Sequence, residues 1–377
     1  MDNRKKIMHI SLTLGAGGLE SVVMNLCSKI DSKLFENYVL CLHDCDVKYI
    51  DKLVEKNVHV EVIKKKCKFD ILFFVRVVRY IKNCQIDIIH AHSGCFFYAT
   101  IFFLFSRVKK LICTAHGLPV LNRLQDIVED NISYILCDKF VAVSEEIYNC
   151  FAKRFLFSNK KVFLIVNGID AELFKSFNTE ENHKIRCEFG FGQGEFIVGS
   201  VGRLAVEKNY SMLLRSFALF QDKNPSIPKR LVFIGDGPER NTLEELSQEL
   251  GIADMVTFLG NRYDVQRIVP IFNVFVLSST TEGTSISLLE SQARGIPAVV
   301  TNVGGNGFIV RQGENGFLCA VDDVEAMATA LCRMCDEPET AKNMAQAARR
   351  RVLDGLDLTS MVEQYQQLYL QYNTNSH

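Results

Sequence analysis

The stretch VFVLSSTTEGTSISLLESQARGIPAVVT, residues 274–301, decides the fold. An apolar, β-branched run meets Thr, Gly and Ser, passes into an apolar-polar helical run, and returns through Gly295-Ile296-Pro297 to a second apolar run. Strands without polar alternation are those buried on both faces, so strand, helix and strand here form one unit of a helix-covered parallel sheet. The alternation continues outward from it. FIVGSVGR (196–203), RLVFIGDG (230–237), VTFLG (256–260) and FLCAVDD (317–323) read as further strands, with helical runs around 208–221 and 239–250. The N-terminal half repeats the theme with KIMHISLTL (6–14), NYVLCLH (37–43), VHVEVI (58–63), IDIIHAH (86–92), KLICTAH (110–116), FVAVS (140–144) and VFLIVNG (162–168).

The alternation pauses at 171–195, a polar stretch with little periodicity that reads as an interdomain linker. A chain of 377 residues suits two domains of ordinary size. The expected architecture is α/β: two Rossmann-like, doubly wound parallel-sheet domains at 1–170 and 196–355, with a last amphipathic helix in 356–377. In such sheets ligands bind beyond the carboxyl ends of the strands, and a cleft between two such domains is the default site.

Composition excludes several classes. Thirteen Cys are scattered through apolar runs, which suits small core residues of a reducing compartment rather than a disulfide scaffold. The lone CxxC, Cys332 to Cys335, has no second pair to make a zinc site. MDNRKKIMHI lacks a signal peptide's apolar core, and CFFYATIFFLF (95–105) is too short to span a bilayer. A cytoplasmic protein, soluble or peripherally membrane-bound, is expected, and nucleic acid is not among its expected partners. Residues 1–177 hold 25 of the 43 basic and 19 of the 44 acidic residues, so the basic excess lies in the first half. That excess hints at an anionic partner, though chance scatter of surface charge explains it equally well.

The chemistry-bearing residues cluster at strand ends. TLGAGGLE (13–20) places glycines where a backbone could approach a phosphate, but Gly15, Gly17 and Gly18 do not make GxGxxG, and a tight turn is an equal reading. HAH (90–92) suits buried, hydrogen-bonded histidines better than a metal, whereas His116, before Gly117, is a candidate substrate contact. DCD (44–46) reads as a polar loop. GRLAVEKN (202–209) sets Arg203 and Lys208 beside a helix start, where two cations favour a bound anion such as a diphosphate; solvated side chains are the bland reading. GDGPER (235–240) reads as a structural turn. Glu282 and Glu290 stand ~12 Å apart along a helix at ~1.5 Å per residue. That exceeds the ~5 Å of a retaining-glycosidase dyad and suits two separate clamps on one extended ligand.

In order, AGGLE (16–20), HAH, TAHG (114–117), NGID (167–170), GRLAVEKN, GDGPER, TEGTSISLLE (281–290), GIPAVVT (295–301) and VGG (303–305) resemble the retaining glycosyltransferases of family four. The resemblance covers the whole chain and implies the GT-B fold, with the last helix crossing back to the N-terminal domain. It implies that Arg203 and Lys208 bind the donor diphosphate and stabilise the leaving group. Glu282 would contact the donor sugar and Glu290 the ribose. Backbone amides of Thr284, Ser285 and Ile286 would hold phosphate, with Asn261 and Arg262 bordering the base. His116 would lie beside the sugar, and Gly17 and Gly18 near the diphosphate.

The implied reaction needs no metal or other cofactor. It moves a hexose or N-acetylhexosamine from a nucleotide sugar, a UDP-sugar ahead of a GDP-sugar, to a glycan acceptor on a polyprenyl diphosphate. The setting would be lipopolysaccharide, capsule or exopolysaccharide assembly, with peripheral membrane contact. A nucleotide-sugar 2-epimerase and a non-catalytic binding scaffold are the alternatives. After VGG the chain reads Asn306-Gly307-Phe308, where the family often carries an acid, so details of the diphosphate side depart from the pattern.

Overall fold

The computed structural model describes residues 4–15, 18–66, 70–118, 124–154, 161–170, 174 and 179–371. It divides into two compact units, Met1–Gly168 with Leu358–His377, and Ile169–Asp357. The first contains β1 (Lys5–Ser11), α1 (Gly18–Lys29), β2 (Phe35–Cys41), α2 (Val47–Val54), β3 (His59–Val62), α3 (Ile71–Cys84) and β4 (Ile88–His92). It continues with α4 (Phe96–Ser106), β5 (Lys110–Ala115), α5 (Leu124–Leu136), β6 (Lys139–Ala142), α6 (Glu145–Arg154) and β7 (Val162–Leu164). The strands form one parallel sheet in the order β3-β2-β1-β4-β5-β6-β7.

Local chemistry sets these elements. In α3, Phe73, Val77 and Ile81 recur every four residues and form the buried stripe. Asp70 caps the helix by accepting from the Phe73 amide at 2.9 Å, and Gln85 ends it in the left-handed region. Strand β4 is buried at all five positions, as a central strand covered on both faces must be.

The second unit runs through α7 (Thr179–Glu188), β8 (Phe196–Val201), α8 (Tyr210–Lys223), β9 (Lys229–Ile234), α9 (Arg240–Glu249), β10 (Val256–Phe258), α10 (Val265–Ile268) and β11 (Val274–Leu277). Then come α11 (Ile286–Ala293), β12 (Ala298–Thr301), α12 (Asn306–Ile309), β13 (Gly316–Cys319), α13 (Val324–Asp336) and α14 (Pro338–Gly355). Its sheet is also parallel, in the order β10-β9-β8-β11-β12-β13. The last helix, α15 (Leu358–Leu370), belongs to the first unit, where Tyr365 and Tyr369 are fully buried.

Two doubly wound α/β units are therefore present, and two details differ from the sequence reading. The polar stretch 171–195 is not all linker: α7 lies within it, as part of the second unit. Its TEENHKIRCE sequence carries one buried apolar anchor, Ile185, while Arg186 bonds the carbonyls of Gly192, Glu195 and Ile271. Polar contacts hold it, so hydrophobic periodicity does not reveal it. Helices α5 and α6 also form where the reading marked none. No helix among the described residues is long and apolar enough to cross a membrane. Cys332 and Cys335 are free thiols on α13.

Each sheet reverses its strand order once, between β1 and β4 and between β8 and β11. Loops leaving the carboxyl ends of such neighbouring strands diverge and leave a crevice for ligands.

Candidate active site

In the second unit the loops leaving β8 and β11 meet. Lys208 lies on a 3-10 turn, Val206–Lys208, between β8 and α8, and Asn209 turns the chain into α8 with a left-handed backbone. Ser278, just past β11, donates from its hydroxyl to the Lys208 carbonyl at 2.9 Å. Thr280 donates its amide to the Glu207 carbonyl at 2.9 Å. These bonds fix the ammonium: Lys208 Nζ lies 2.6 Å from Glu282 Oε1, which also accepts from Ser279 Oγ at 2.6 Å. Glu282 Oε2 has no donor among the described residues, and two Lys208 protons stay available. Arg203 is exposed and has no side-chain partner among the described residues.

Glycines bring these loops close. Gly304, at φ +54°, packs so tightly that a Cβ there would lie 1.8 Å from the Glu282 carbonyl oxygen. Gly235, at φ +135°, approaches the Gly202 carbonyl in the same way, so GDGPER opens on a tight turn that only glycine fits. Ser285 caps α11, and neither its amide nor that of Ile286 has an acceptor among the described residues. Thr284 is buried beside them. A helix start with unpaired amides, two cations and one half-engaged carboxylate can bind an anion joined to a polyol.

Glu290 lies one turn beyond Ser287, whose hydroxyl bonds the Val201 carbonyl at the end of β8 at 3.1 Å. Residues three apart share a helix face, so Glu290 projects from that stripe. Burial pushes its carboxyl up to about 7, with Arg294 opposing. Arg262 forms a bidentate pair with Asp264 at 2.8 and 2.7 Å, and with Asn261 and Tyr263 they line a depression of about 370 Å³. This guanidinium is already engaged, by Asp264 at its edge and by the Phe189 ring 5.5 Å from its carbon, so a ligand there would meet Asn261 before the arginine.

In the first unit Gly18 opens α1, and Gly17 lies outside the described residues. His116 follows β5 and is half-buried; its amide donates to Ser93 Oγ at 2.8 Å. Beneath it, His92 Nδ1 lies 2.9 Å from His116 Nε2, and His92 Nε2 lies 3.3 Å from His9 Nδ1. His90 is bonded through Nδ1 to the Tyr369 hydroxyl at 2.7 Å and through Nε2 to Thr114 Oγ1 at 2.8 Å. His9, His90 and His92 bring ring nitrogens within 4.8 Å of one another, as metal ligands would. Both nitrogens of His90 and of His92 are engaged in hydrogen bonds, so the geometry favours the buried, hydrogen-bonded reading of HAH. The DCD acids are engaged too: Asp44 pairs with Lys64, and Asp46 caps α2 by accepting from the Lys48 amide at 3.0 Å.

Comparison with known proteins gives this arrangement its context. Two family models match, Glycosyltransferase Family 4 over residues 16–173 and Glycosyl transferases group 1 over residues 181–351. The chain belongs to glycosyltransferase family four. It is 24% identical over 98% of its length, and 98% of the relative's, to the UDP-Gal:alpha-D-GlcNAc-diphosphoundecaprenol alpha-1,3-galactosyltransferase of Escherichia coli. It is 33% identical to the putative glycosyltransferase EpsD of Bacillus subtilis (strain 168) over 49% of this chain and 48% of that protein, about half of each. Among solved structures, Anabaena HepE in complex with UDP and glucose shares the fold at a TM-score of 0.87 and 20% identity, covering 98% of this chain and 100% of that one. The fold is GT-B.

For this family-four chain the sequence missed the residues that support the site. Ser278 and Ser279 hold Lys208 and Glu282; their signal is a polar pair ending an otherwise apolar buried strand. His9 lies under His116 through His92, which belongs to the HAH already read as buried and hydrogen-bonded, and its signal is a histidine on a strand neighbouring HAH. Asn306, where the family often has an acid, is buried and donates from Nδ2 to the Thr301 carbonyl at 3.1 Å, so it shapes the turn.

Proposed function

We propose that the chain transfers a hexose or N-acetylhexosamine, with retention, from a UDP-sugar to a polyprenyl-diphosphate-linked glycan in bacterial surface polysaccharide assembly. The observation that carries this is the Lys208–Glu282 pair at the β8/β11 reversal, with exposed Arg203 on the loop that carries Lys208. Breaking the anomeric C–O bond puts negative charge on the departing diphosphate and positive charge on the sugar. Arg203, Lys208 and the free amides at the start of α11 stabilise the first without reorganising. Glu282 Oε2 accepts from a sugar hydroxyl, and Glu290 accepts from the ribose. With retention, the acceptor hydroxyl attacks from the leaving-group side and a phosphate oxygen takes its proton. A UDP donor and a lipid-diphosphate acceptor are the ones named for the Escherichia coli relative, and UDP is bound in the HepE structure.

The cations supply the electrostatic work, so transfer persists in EDTA. Incubation with a panel of labelled nucleotide sugars, with and without lipid-linked acceptor, tests the reading. Turnover only with acceptor supports transfer. A free epimer formed without acceptor would establish the isomerase instead, and binding without turnover the scaffold.

Peripheral membrane contact is part of the same proposal. On α3, Ile71 and Leu72 are 76% and 71% exposed, and the outer stripe continues through Val75, Arg76, Arg79 and Lys82 without an acid on the helix. An apolar-basic face of this kind suits an anionic bilayer surface. The full chain then floats with phosphatidylglycerol vesicles and not with phosphatidylcholine vesicles, and the I71E/L72E variant stays in the soluble fraction. Equal flotation of variant and parent would remove α3 from the contact.

A further inference from the structure

The three histidines His9, His92 and His116 form a line of ring-to-ring hydrogen bonds from the sheet interior to the end of β5. His9 is on β1, His92 on β4, and His116 follows β5, so three adjacent strands supply one ring each. Neutral imidazole has one donor and one acceptor nitrogen, so a line of three has only two consistent proton arrangements. In the first, His9 Nδ1–H donates to His92 Nε2 and His92 Nδ1–H donates to His116 Nε2. The proton of His116 is then on Nδ1. In the second every bond is reversed, His116 donates inward, and the proton of His9 is on Nε2.

One atom decides between them. His9 is fully buried, and its Nε2 has no hydrogen-bond partner. The second arrangement would leave an N–H donor stranded there, whereas the first leaves only an unused lone pair. Orphaned buried N–H groups are rare in folded proteins, and under-used acceptors less so. All three rings are neutral at neutral pH: burial draws His9 down to about 3 and His116 to about 4, and holds His92 well below the usual range. His90 cannot take over the task, because hydroxyls of Tyr369 and Thr114 engage both its nitrogens.

We propose that His9 and His92 are positioning residues that fix His116 as the neutral Nδ1–H tautomer, so that it presents a hydrogen-bond donor to a substrate oxygen. His116 Nδ1 has no partner among the described residues, and the ring is half-buried at the strand end. A fixed Nδ1–H group can donate to a sugar hydroxyl oxygen or to a phosphate oxygen. It cannot accept a proton at that atom, which excludes His116 Nδ1 as a general base. The contact with substrate rests on the glycosyltransferase reading of His116; the tautomer does not.

Long-range 1H–15N spectra of the full chain labelled with 15N-histidine, at pH 7 and without donor, test the tautomer directly. His116 is expected as more than nine-tenths Nδ1–H. An Nε2–H or evenly mixed His116 in the wild-type protein would overturn the proposal, whatever the enzyme's activity. His9→Asn places an amide N–H where Nδ1–H stood and should keep the tautomer. His9→Leu removes that donor, leaves His92 free to reverse, and should give a mixed His116 with kcat lowered about tenfold at unchanged KM for UDP-glucose or whichever donor turns over. An unchanged His116 spectrum in His9→Leu would remove the positioning role. If His9→Leu does not fold, the wild-type spectrum alone still decides the tautomer, and His9→Phe, which keeps a ring but lacks the donor, takes the place of His9→Leu in testing the role. A correct tautomer in a protein that transfers no sugar would keep this inference and refute the proposed function.

Discussion

The two places where strand order reverses are alike in topology and opposite in chemistry. At β1/β4 the first unit holds neutral histidines, sealed from water and bonded to one another and to Tyr369 of α15. At β8/β11 the second unit holds an ammonium on a carboxylate, with exposed Arg203 on the same loop as the lysine. Burial explains the contrast. Desolvation penalises the charged form of the histidines and leaves them as shaped dipoles, whereas the loops of the second unit keep enough water to hold ions. On the proposed function, a fold used twice would thus separate two tasks: stabilising charge in one unit, and presenting a fixed polar group in the other.

The comparison breaks first at Lys208 and Glu282. Replacing either with Ala removes one partner of the pair to which the proposed function assigns transition-state stabilisation, so kcat should fall by about 10³-fold or more while far-UV circular dichroism is unchanged. A rate within tenfold of wild type in either variant would mean that the charge work is done elsewhere. Next in size is Arg203→Ala. The side chain is exposed and unpaired among the described residues, so the melting temperature should not move, and kcat/KM should fall about 10²-fold. A lower melting temperature with intact activity would make Arg203 a structural residue.

Glu290 sharpens the comparison, because it is the one acid of the second site that burial treats as it treats the histidines. With its carboxyl near 7, the free protein holds it partly protonated at neutral pH. A ribose diol donates to the ionised form, so donor affinity should weaken as pH falls through 7. Glu290→Gln should flatten that dependence and raise KM about tenfold in initial-rate measurements from pH 6 to 8. Folding responds with the opposite sign. The folded-state value lies above the unfolded 4.5, so the carboxyl's favourable contribution is complete below 4.5 and is lost as pH rises through about 7. The Gln variant should therefore melt higher than wild type at pH 8, by of order 1 kcal/mol of stability, and the gap should close towards pH 4.5. A constant gap would show that Glu290 stays ionised in the fold.

Much of this was legible in the sequence because the central strands are short apolar runs ending in Gly, Ser or His. Strand ends located Arg203, Lys208, Glu282 and His116, and unbroken β-branched apolar runs alternating with helical stretches located both sheets. What stayed hidden has physical causes. α7 lacks an apolar stripe, so periodicity is silent there. α5 has apolar residues at helical spacing, but Val128, Ile132 and Ile135 face outward while Ser133 and Tyr134 are buried, so its pattern does not mark a core face. The histidine line spans three strands distant in sequence, and only the parallel register brings His9 level with His90. The Arg262–Asp264 pair was hidden for a plainer reason, since a side chain's own partner two residues away competes with any ligand assigned to it.

The smallest expected effect tests the neutral side of the comparison. Asp44-Cys45-Asp46, in the first unit, has the spacing of a metal-binding acid pair. Its geometry is structural. Asp44 is exposed on a surface pair with Lys64, and such pairs are screened by solvent, so Asp44→Ala should leave the melting temperature and the transfer rate unchanged. Asp46 caps α2, so Asp46→Ala should cost about 1 kcal/mol and Asp46→Asn much less, because Asn caps nearly as well. Rates at saturating donor should match wild type in all three variants, with or without EDTA. A loss of activity in Asp44→Ala that manganese or magnesium restored would place charge chemistry in the first unit. The division between a neutral site and a charged one would then fail, since desolvation would no longer account for where this enzyme keeps its ions.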